Sequence, residues 1–328
     1  MRVWYDACTG KHVRYGVAIA KKLREAGHEV VLTTRQHPDT IPLSRLLNEN
    51  FIVVGRYNPK SLLSRLKEGT RRQLLFCKIF REKFPDVAIS HGSVDQIRVA
   101  FGLKILTITT VDTPYADAVH KLTLPLADYI VASTAIPKAT LQKYNVGGKI
   151  IQFDGVDEVA WIRDCKPLVK YDFGKPLIVV REVEERAVYI KRKFSFVDLA
   201  RKLTRLGNVV FLPRYRRRTI KGLIIPRGFV DSASLVAQAD LFVGAGGTIT
   251  REAALQGTPA IVVNMFQEQY VNDYLAEKGF PIFKMELSSV VEAAEKLINE
   301  KRDVANLLAK LENPVNVILK ILERLKER

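Results

Sequence analysis

The sequence predicts an α/β protein of two Rossmann-like domains, each built on a parallel sheet, with a cleft between them. Three observations carry that prediction. Short apolar runs alternate with helical stretches along nearly the whole chain. Those runs are continuously apolar rather than alternating, as in strands buried on both faces. The 328 residues suit two domains of ordinary size. A hydrophobic content of 47% is ample for two cores, and no apolar run approaches the roughly 20 residues of a membrane span.

The first half alternates strand and helix. Arg2 to Tyr5 reads as a strand, and His12 to Ala26 as a helix through Val13, Val17, Ile19, Ala20 and Leu23, stopped by Gly27. Val30 to Thr33 and Phe51 to Val54 are further strands, with a short helix at Ile41 to Leu47 between them. The basic segment Pro59 to Phe84 reads as helical, with a break allowed at Gly69. Strand Asp86 to Ser90, helix Val94 to Phe101, and strands Lys104 to Thr109 and Tyr129 to Ala132 follow. Phe153 to Lys175 lacks periodicity and carries Asp154-Gly155-Val156, Pro167 and Gly174, so the boundary falls there, dividing 1–160 from 161–328.

The second half repeats the plan. Strands are expected at Leu177 to Val180, Val209 to Leu212, weakly at Leu223 to Ile225, and at an edge near Pro281 to Phe283. Helices are expected at Phe194 to Leu206, Ser232 to Ala239, Ser288 to Asn299, Asp303 to Leu311 and Val315 to Leu325. The stretch Asp240 to Val263 organises this half as strand, glycine turn, helix, glycine stop and strand. Leu241 to Val243 is followed at once by Gly244, Gly246 and Gly247, and Thr248 or Thr250 can cap the next helix. Gly257 and Pro259 end it. Free amides at such a helix start attract anions, and Glu252, a turn further on, can accept hydrogen bonds from a ribose diol. The spacing is neither a Walker loop nor a dinucleotide fingerprint.

The formal net charge of +17 points to an acidic partner: nucleotide phosphate, nucleic acid or an anionic membrane face. Solvated Lys, Arg and Glu of a thermophile surface are the plainer reading. Cys8, Cys77 and Cys165 are scattered and odd in number, which fits neither a disulfide framework nor a zinc site, and a cytoplasmic location is the default.

All five histidines lie in the first 120 residues. His28 and His37 fall at turns and read as surface residues. His12, His91 and His120 follow strands, on an edge shared with Asp6, Asp112 and Asp117. Imidazole beside carboxylate is the kit for general acid–base work. No H-x-H or H-x-x-x-H spacing supports a metal. In the second half Arg181 ends a strand, where it can clamp a phosphate or pair with Glu182 or Glu184. The basic run Arg214 to Arg218 can meet phosphate, lipid headgroup or RNA, or lie solvated; Gln267 and Gln269 can touch a sugar or base.

The glycine motif with Glu252, then Gly257-Thr-Pro and the Gln267 loop, resembles the donor half of GT-B fold enzymes, the nucleotide-sugar glycosyltransferases and UDP-N-acetylglucosamine 2-epimerases. Pro85-Asp-Val-Ala-Ile-Ser-His-Gly-Ser93, Val99-Ala-Phe-Gly-Leu103, Asp112-Thr-Pro and Leu122-Thr-Leu-Pro-Leu-Ala-Asp128 are similar to a largely archaeal family of that fold, labelled only as a domain of unknown function. The resemblance implies an N-terminal acceptor or catalytic domain and a C-terminal domain for a nucleotide sugar, UDP-linked by preference. It implies backbone groups of Gly246, Gly247 and Thr248 on the diphosphate, Glu252 on the ribose, Gln267 or Gln269 near the sugar, and a last helix crossing back to the first domain. Epimerases carry Gly-Asp-Thr where this chain has Gly92-Ser93-Val94. Their catalytic glutamates fall loosely at Asp112 and Asp117, and their His-Arg-Arg-Glu-Asn element is Arg181-Glu-Val-Glu-Glu185 here. Glycosyl transfer therefore ranks ahead of epimerisation, with His12, Asp6 or Asp112 as base, Arg181 on the departing diphosphate, and no metal or cofactor required. A lipid-linked or phosphorylated acceptor and a peripheral membrane contact stay open. The competing expectation is a non-catalytic basic protein that binds RNA or anionic lipid.

Overall fold

A computed structural model describes residues 1–164, 166–183, 195–214, 219–265 and 268–327. Among these, the chain forms two compact units, Met1–Trp161 together with Leu311–Arg328, and Ile162–Lys310.

The first unit is a seven-stranded, all-parallel sheet in the order β3-β2-β1-β4-β5-β6-β7. Its strands are β1 Arg2–Ala7, β2 Glu29–Gln36, β3 Ile52–Arg56, β4 Val87–Ser90, β5 Leu106–Val111, β6 Tyr129–Ser133 and β7 Lys149–Phe153. Its helices are α1 Gly10–Glu25, α2 Thr40–Leu46, α3 Leu62–Ile79, α4 Val94–Gly102, α5 Asp117–Thr123, α6 Lys138–Gln142 and α7 Val159–Ile162, the last at the end of this unit. Val3, Trp4, Tyr5 and Ala7 in β1 are all solvent-free, because a central parallel strand is covered on both faces. Trp4 packs its ring on Phe76 and Phe80, 4.7 and 4.6 Å between centroids, and fixes α3 against the sheet.

Helix α3 runs unbroken through Gly69. Its start is held by a capping box between Ser61 and Ser64, and its body by Arg72, which reaches back under β1. β7 occupies residues to which the sequence assigns no element, ending at Phe153 where the connector is expected to begin, and it extends the sheet past β6.

The second unit is a five-stranded parallel sheet in the order β12-β11-β10-β8-β9. The strands are β8 Leu177–Arg181, β9 Asn208–Leu212, β10 Leu241–Gly244, β11 Ala260–Val263 and β12 Ile282–Met285. The weak strand near Ile224 is reduced to a single bridge with Val210. Helices α8 Phe196–Leu203, α9 Ser232–Gln238, α10 Thr248–Ala254, α11 Tyr270–Glu277, α12 Val290–Leu297 and α13 Ala305–Lys310 belong to this unit, and Ile178, Val180, Phe211, Leu241 and Ile261 centre its core. The final helix, α14 Pro314–Lys326, is capped by the Asn313 side chain and packs on α1 and β6 of the first unit through Val317, Ile318, Ile321 and Leu322. No helix among the described residues is long and apolar enough to cross a membrane.

Candidate functional site

In the first unit the chain leaves β1 toward β2 on one side and later returns to β4 on the other. Parallel α/β sheets bind ligands at the carboxyl edge beside such a switch point. Four polar side chains gather there. Lys11 stands in the first turn of α1, His91 just past β4, Asp112 just past β5, and Asp157 past β7.

The Lys11 ammonium bonds Asp112 at 2.6 Å and Asp157 at 3.0 Å, and lies 3.8 Å from Glu158. The His91 ring is strung between both carboxylates. Its Nε2 is 3.1 Å from Asp112, while Nδ1 is 2.7 Å from the Thr110 hydroxyl and 3.5 Å from Asp157. With the proton on Nε2, His91 donates to Asp112 and accepts from Thr110; the choice of tautomer follows from the partners. The Asp112 side chain keeps 19% of its surface exposed against 1% for Asp157, so Asp112 is the carboxylate a ligand can reach. Burial, and then the Asp157 charge, push the Tyr15 hydroxyl well above its ordinary range, so it stays a neutral phenol beside the cluster.

His12 meets His91 edge to face at 4.9 Å. Its Nδ1 accepts the Cys8 backbone N–H at 3.3 Å, leaving Nε2 to carry the proton. Burial, then His91 and Lys11, hold it well below 6.5, which keeps the ring neutral.

Asp6 is not part of this group. It is fully buried and accepts from Ser93 at 2.6 Å, Thr33 at 2.8 Å and Arg72 at 2.8 Å. Arg72 also pairs with Asp95 at 3.0 Å and donates to the Val54 carbonyl at 2.8 Å. Gly55, at φ +68°, makes room for it: a Cβ there would stand 2.5 Å from the Arg72 side chain. Burial pulls on the guanidinium, but Asp6 and the other anionic neighbours outweigh it and keep the charge. The Cys8 thiol at the rim is raised by burial and by Asp6, and so is a poor nucleophile. A carboxylate so occupied cannot take a proton from an acceptor, and the expectation of Asp6 as a base is corrected.

Asp117 and His120 are also engaged elsewhere. Asp117 is exposed at the start of α5 and pairs with Lys121 at 2.9 Å. His120 is buried, with Nε2 2.7 Å from the Thr113 carbonyl and its ring against Tyr144. Of the six residues expected for catalysis, His12, His91 and Asp112 come together. Lys11, Asp157 and Glu158 complete the group. Lys11 had a signal, a lone cation just past a strand; Asp157 was hidden because β7 was not recognised as a strand.

The ligand atoms of His91, Asp112 and Asp157 lie within 4.8 Å of one another, a donor set able to hold a divalent cation. In the structure the Lys11 ammonium bridges the two carboxylates.

In the second unit Gly244 ends β10, and Gly246 and Gly247 take φ of +96° and +95°, which only glycine adopts without strain. Gly247 occupies the cap position of α10 and has no side chain to offer its amides, so neither Thr248 nor Thr250 caps that helix. Glu252 is buried and accepts from Ser232 at 2.6 Å. Gln269 packs beneath Gly246, its carbonyl taking a 2.6 Å bond from Asn272, so it supports the turn. Arg181 leans on the Leu212 and Pro213 carbonyls at 3.5 Å, and Glu182 accepts the Arg214 amide at 2.6 Å. Glu184, Glu185, Gln267 and the Tyr215 to Arg218 part of the basic run lie outside the described residues. A cavity of about 390 Å³ opens at the opposite, amino edge of this sheet, where Lys175 is paired with Asp240.

Several solved structures share this architecture. The UDP-GlcNAc 2-epimerase of Methanocaldococcus jannaschii, solved with UDP-GlcNAc and UDP, superposes with a TM-score of 0.70 at 16% identity, covering 99% of this chain and 100% of that one. A glycosyltransferase of Streptomyces sp. SF2575, complexed with thymidine diphosphate, gives 0.58 at 17% identity, covering 98% and 99%. The fold is thus that of GT-B glycosyltransferases and epimerases, two parallel-sheet domains of seven and five strands. An uncharacterised protein of M. jannaschii is 29% identical over 322 residues, 93% of this chain and 94% of its own. A family model described as "Protein of unknown function (DUF354)" matches residues 1–326, and the chain belongs to that family.

Proposed function

We propose that the protein is an enzyme acting on a nucleotide-activated sugar, with glycosyl transfer ahead of epimerisation. The observation that carries this reading is the contact of an imidazole, an ammonium and two carboxylates, Lys11, His91, Asp112 and Asp157, at the carboxyl edge of β1, β4 and β5. Asp112 keeps 19% of its side chain in solvent, so this group can meet a ligand. Here Asp112, Asp157 and Glu158 all gather on Lys11.

In the transfer reaction Asp112, or His91 through it, removes the proton from an acceptor hydroxyl. The oxygen attacks the anomeric carbon, and the bond from that carbon to the diphosphate breaks. The diphosphate leaves with the electron pair; in the second unit we assign diphosphate binding to the amides at Gly246, Gly247 and Thr248 and to Arg181. Glu252 holds the ribose. No cofactor enters. The net charge of +17 favours an acceptor that carries phosphate, free or lipid-linked.

Epimerisation is the second reading, favoured by the same contact. A basic group can remove the proton at C2 as the bond from C1 to the diphosphate breaks and a double bond forms; return of a proton to the opposite face of C2 as the diphosphate re-adds to C1 gives the epimer without an acceptor. UDP-N-acetylglucosamine separates the two. Incubated alone, it yields a C2 epimer or free UDP with an unsaturated sugar if the protein epimerises; UDP released only after an acceptor is added supports transfer. If UDP, thymidine diphosphate and their sugars all leave the melting temperature unchanged and none is turned over, both readings fall.

A further inference from the structure

We infer that the outer face of α3 is a docking surface for an anionic lipid bilayer. At 3.6 residues per turn, Leu62, Leu63, Leu66, Leu74 and Cys77 fall within one sector of about 120°. The four leucines are 83%, 60%, 68% and 62% exposed. A lone exposed leucine on a soluble protein means nothing, but a stripe of them along one helix calls for a cover.

The helix cannot roll to hide them. Its inner face is already filled by Glu68, Arg72 and Phe76, and rolling would pull Arg72 off Asp6 and Asp95 and Phe76 off Trp4.

Charge selects the occupant. Lys67, Arg71 and Lys78 are exposed along one border of the stripe, and Arg65 is exposed nearer the other. Glu68 is the only acid on the helix, and it turns inward to Arg56 at 2.7 Å. A second copy of this chain docked about a two-fold axis would set these cations against their own images. A bilayer with acidic headgroups does the opposite. Lysine and arginine stems lie along apolar surface and lift their charges into the headgroups, while the leucines enter the acyl boundary. Helix α3 follows β3, so Leu62, Leu63 and Leu66 lie toward the carboxyl end of the sheet, the end that carries Lys11 and His91.

The test uses the full chain and does not depend on any activity. The protein is sedimented with phosphatidylcholine vesicles, with and without phosphatidylglycerol, at low and high salt. Binding at least about tenfold stronger to the anionic vesicles, and weakened by salt, is expected. Leu66→Glu/Leu74→Glu and, separately, Lys67→Glu/Arg71→Glu/Lys78→Glu should each reduce it by about tenfold or more. Leu66→Ser/Leu74→Ser, the milder change at positions already in water, should keep the wild-type melting temperature and still bind less. Failure of the wild type to sediment with anionic vesicles overturns the inference, as does undiminished binding by the leucine variants. A solution dimer that Leu66→Glu dissociates overturns it in favour of a second copy, and binding that requires an acidic protein instead of vesicles does so in favour of that partner.

Discussion

The carboxyl edge of the first sheet carries two polar clusters, and their difference is instructive. They begin five residues apart, at Asp6 and at Lys11, and both are built from carboxylates and a cation. Around Asp6 the carboxylate itself is sealed: it is fully buried and bonded by Arg72, Ser93 and Thr33, while Arg72 also pairs with Asp95, whose side chain is 18% exposed. Around Lys11 three carboxylates meet one ammonium and an imidazole, and Asp112 reaches solvent. The first arrangement locks β1 to α3 and α4. The second has groups able to exchange a proton with a ligand. What separates them is the central carboxylate: Asp6 is fully buried and bonded three times over, whereas Asp112 keeps part of its surface in solvent.

The strongest way to break this contrast is His91→Asn. If the second cluster is chemical, turnover of a nucleotide sugar should fall by roughly 10²–10⁴-fold while the melting temperature moves by only a few degrees. Matched losses of activity and folding would make His91 structural as well. Arg72→Met should show the reverse, a loss of about 3–5 kcal/mol in denaturant unfolding, because Asp6 is left charged and unpaired in the core. Asp6→Asn added to Arg72→Met should recover part of that loss; a full-strength penalty in the double variant would mean that the charge is not what destabilises.

The second unit sharpens the comparison further. Glu252→Gln keeps the shape and the Ser232 neighbour but removes the charge, and is expected to weaken nucleotide binding about tenfold in titration calorimetry. Unchanged affinity would remove Glu252 from the site. pH probes the rim of the Lys11 cluster. His12 and His120 are both held below 6.5, mainly by burial. Below pH 6.5 the unfolded chain takes up protons that these rings refuse in the fold. Stability therefore holds above that pH and declines as pH falls toward the folded values, by up to about 1.4 kcal/mol per pH unit for each ring. His12→Gln should flatten part of that slope; an identical slope would show that His12 is not desolvated. The smallest effect belongs to Asp117→Asn. Its pair with Lys121 is exposed and screened by solvent, so neither the melting temperature nor turnover should move measurably.

Much of the fold was legible because burial on both faces leaves a plain mark. Runs such as Trp4-Tyr5, Val87 to Ile89 and Leu241 to Val243 are short, apolar and soon followed by glycine, the pattern of interior strands ending in turns, and all three are buried strand segments. β7 escaped because Gly147-Gly148 precedes it and its three central residues are only partly buried at the sheet edge. Losing that strand concealed Asp157 and Glu158, which read as connector residues. The break allowed at Gly69 did not occur because packing on Trp4 and the Asp6–Arg72 bond outweigh the low helix propensity of one glycine, about 1 kcal/mol.

By itself the sequence determined the alternation of strand and helix, the glycine turn after β10, and which histidines leave strands on one edge. These are local matters of periodicity and allowed dihedrals. Only the tertiary structure decided that Asp6 is sealed while Asp112 is open, that Lys11 bridges two carboxylates 101 and 146 residues away, and that four leucines of α3 face solvent. A side chain's chemistry depends on its solvent and its neighbours, and those are set by strand order and helix rotation, which no single segment encodes.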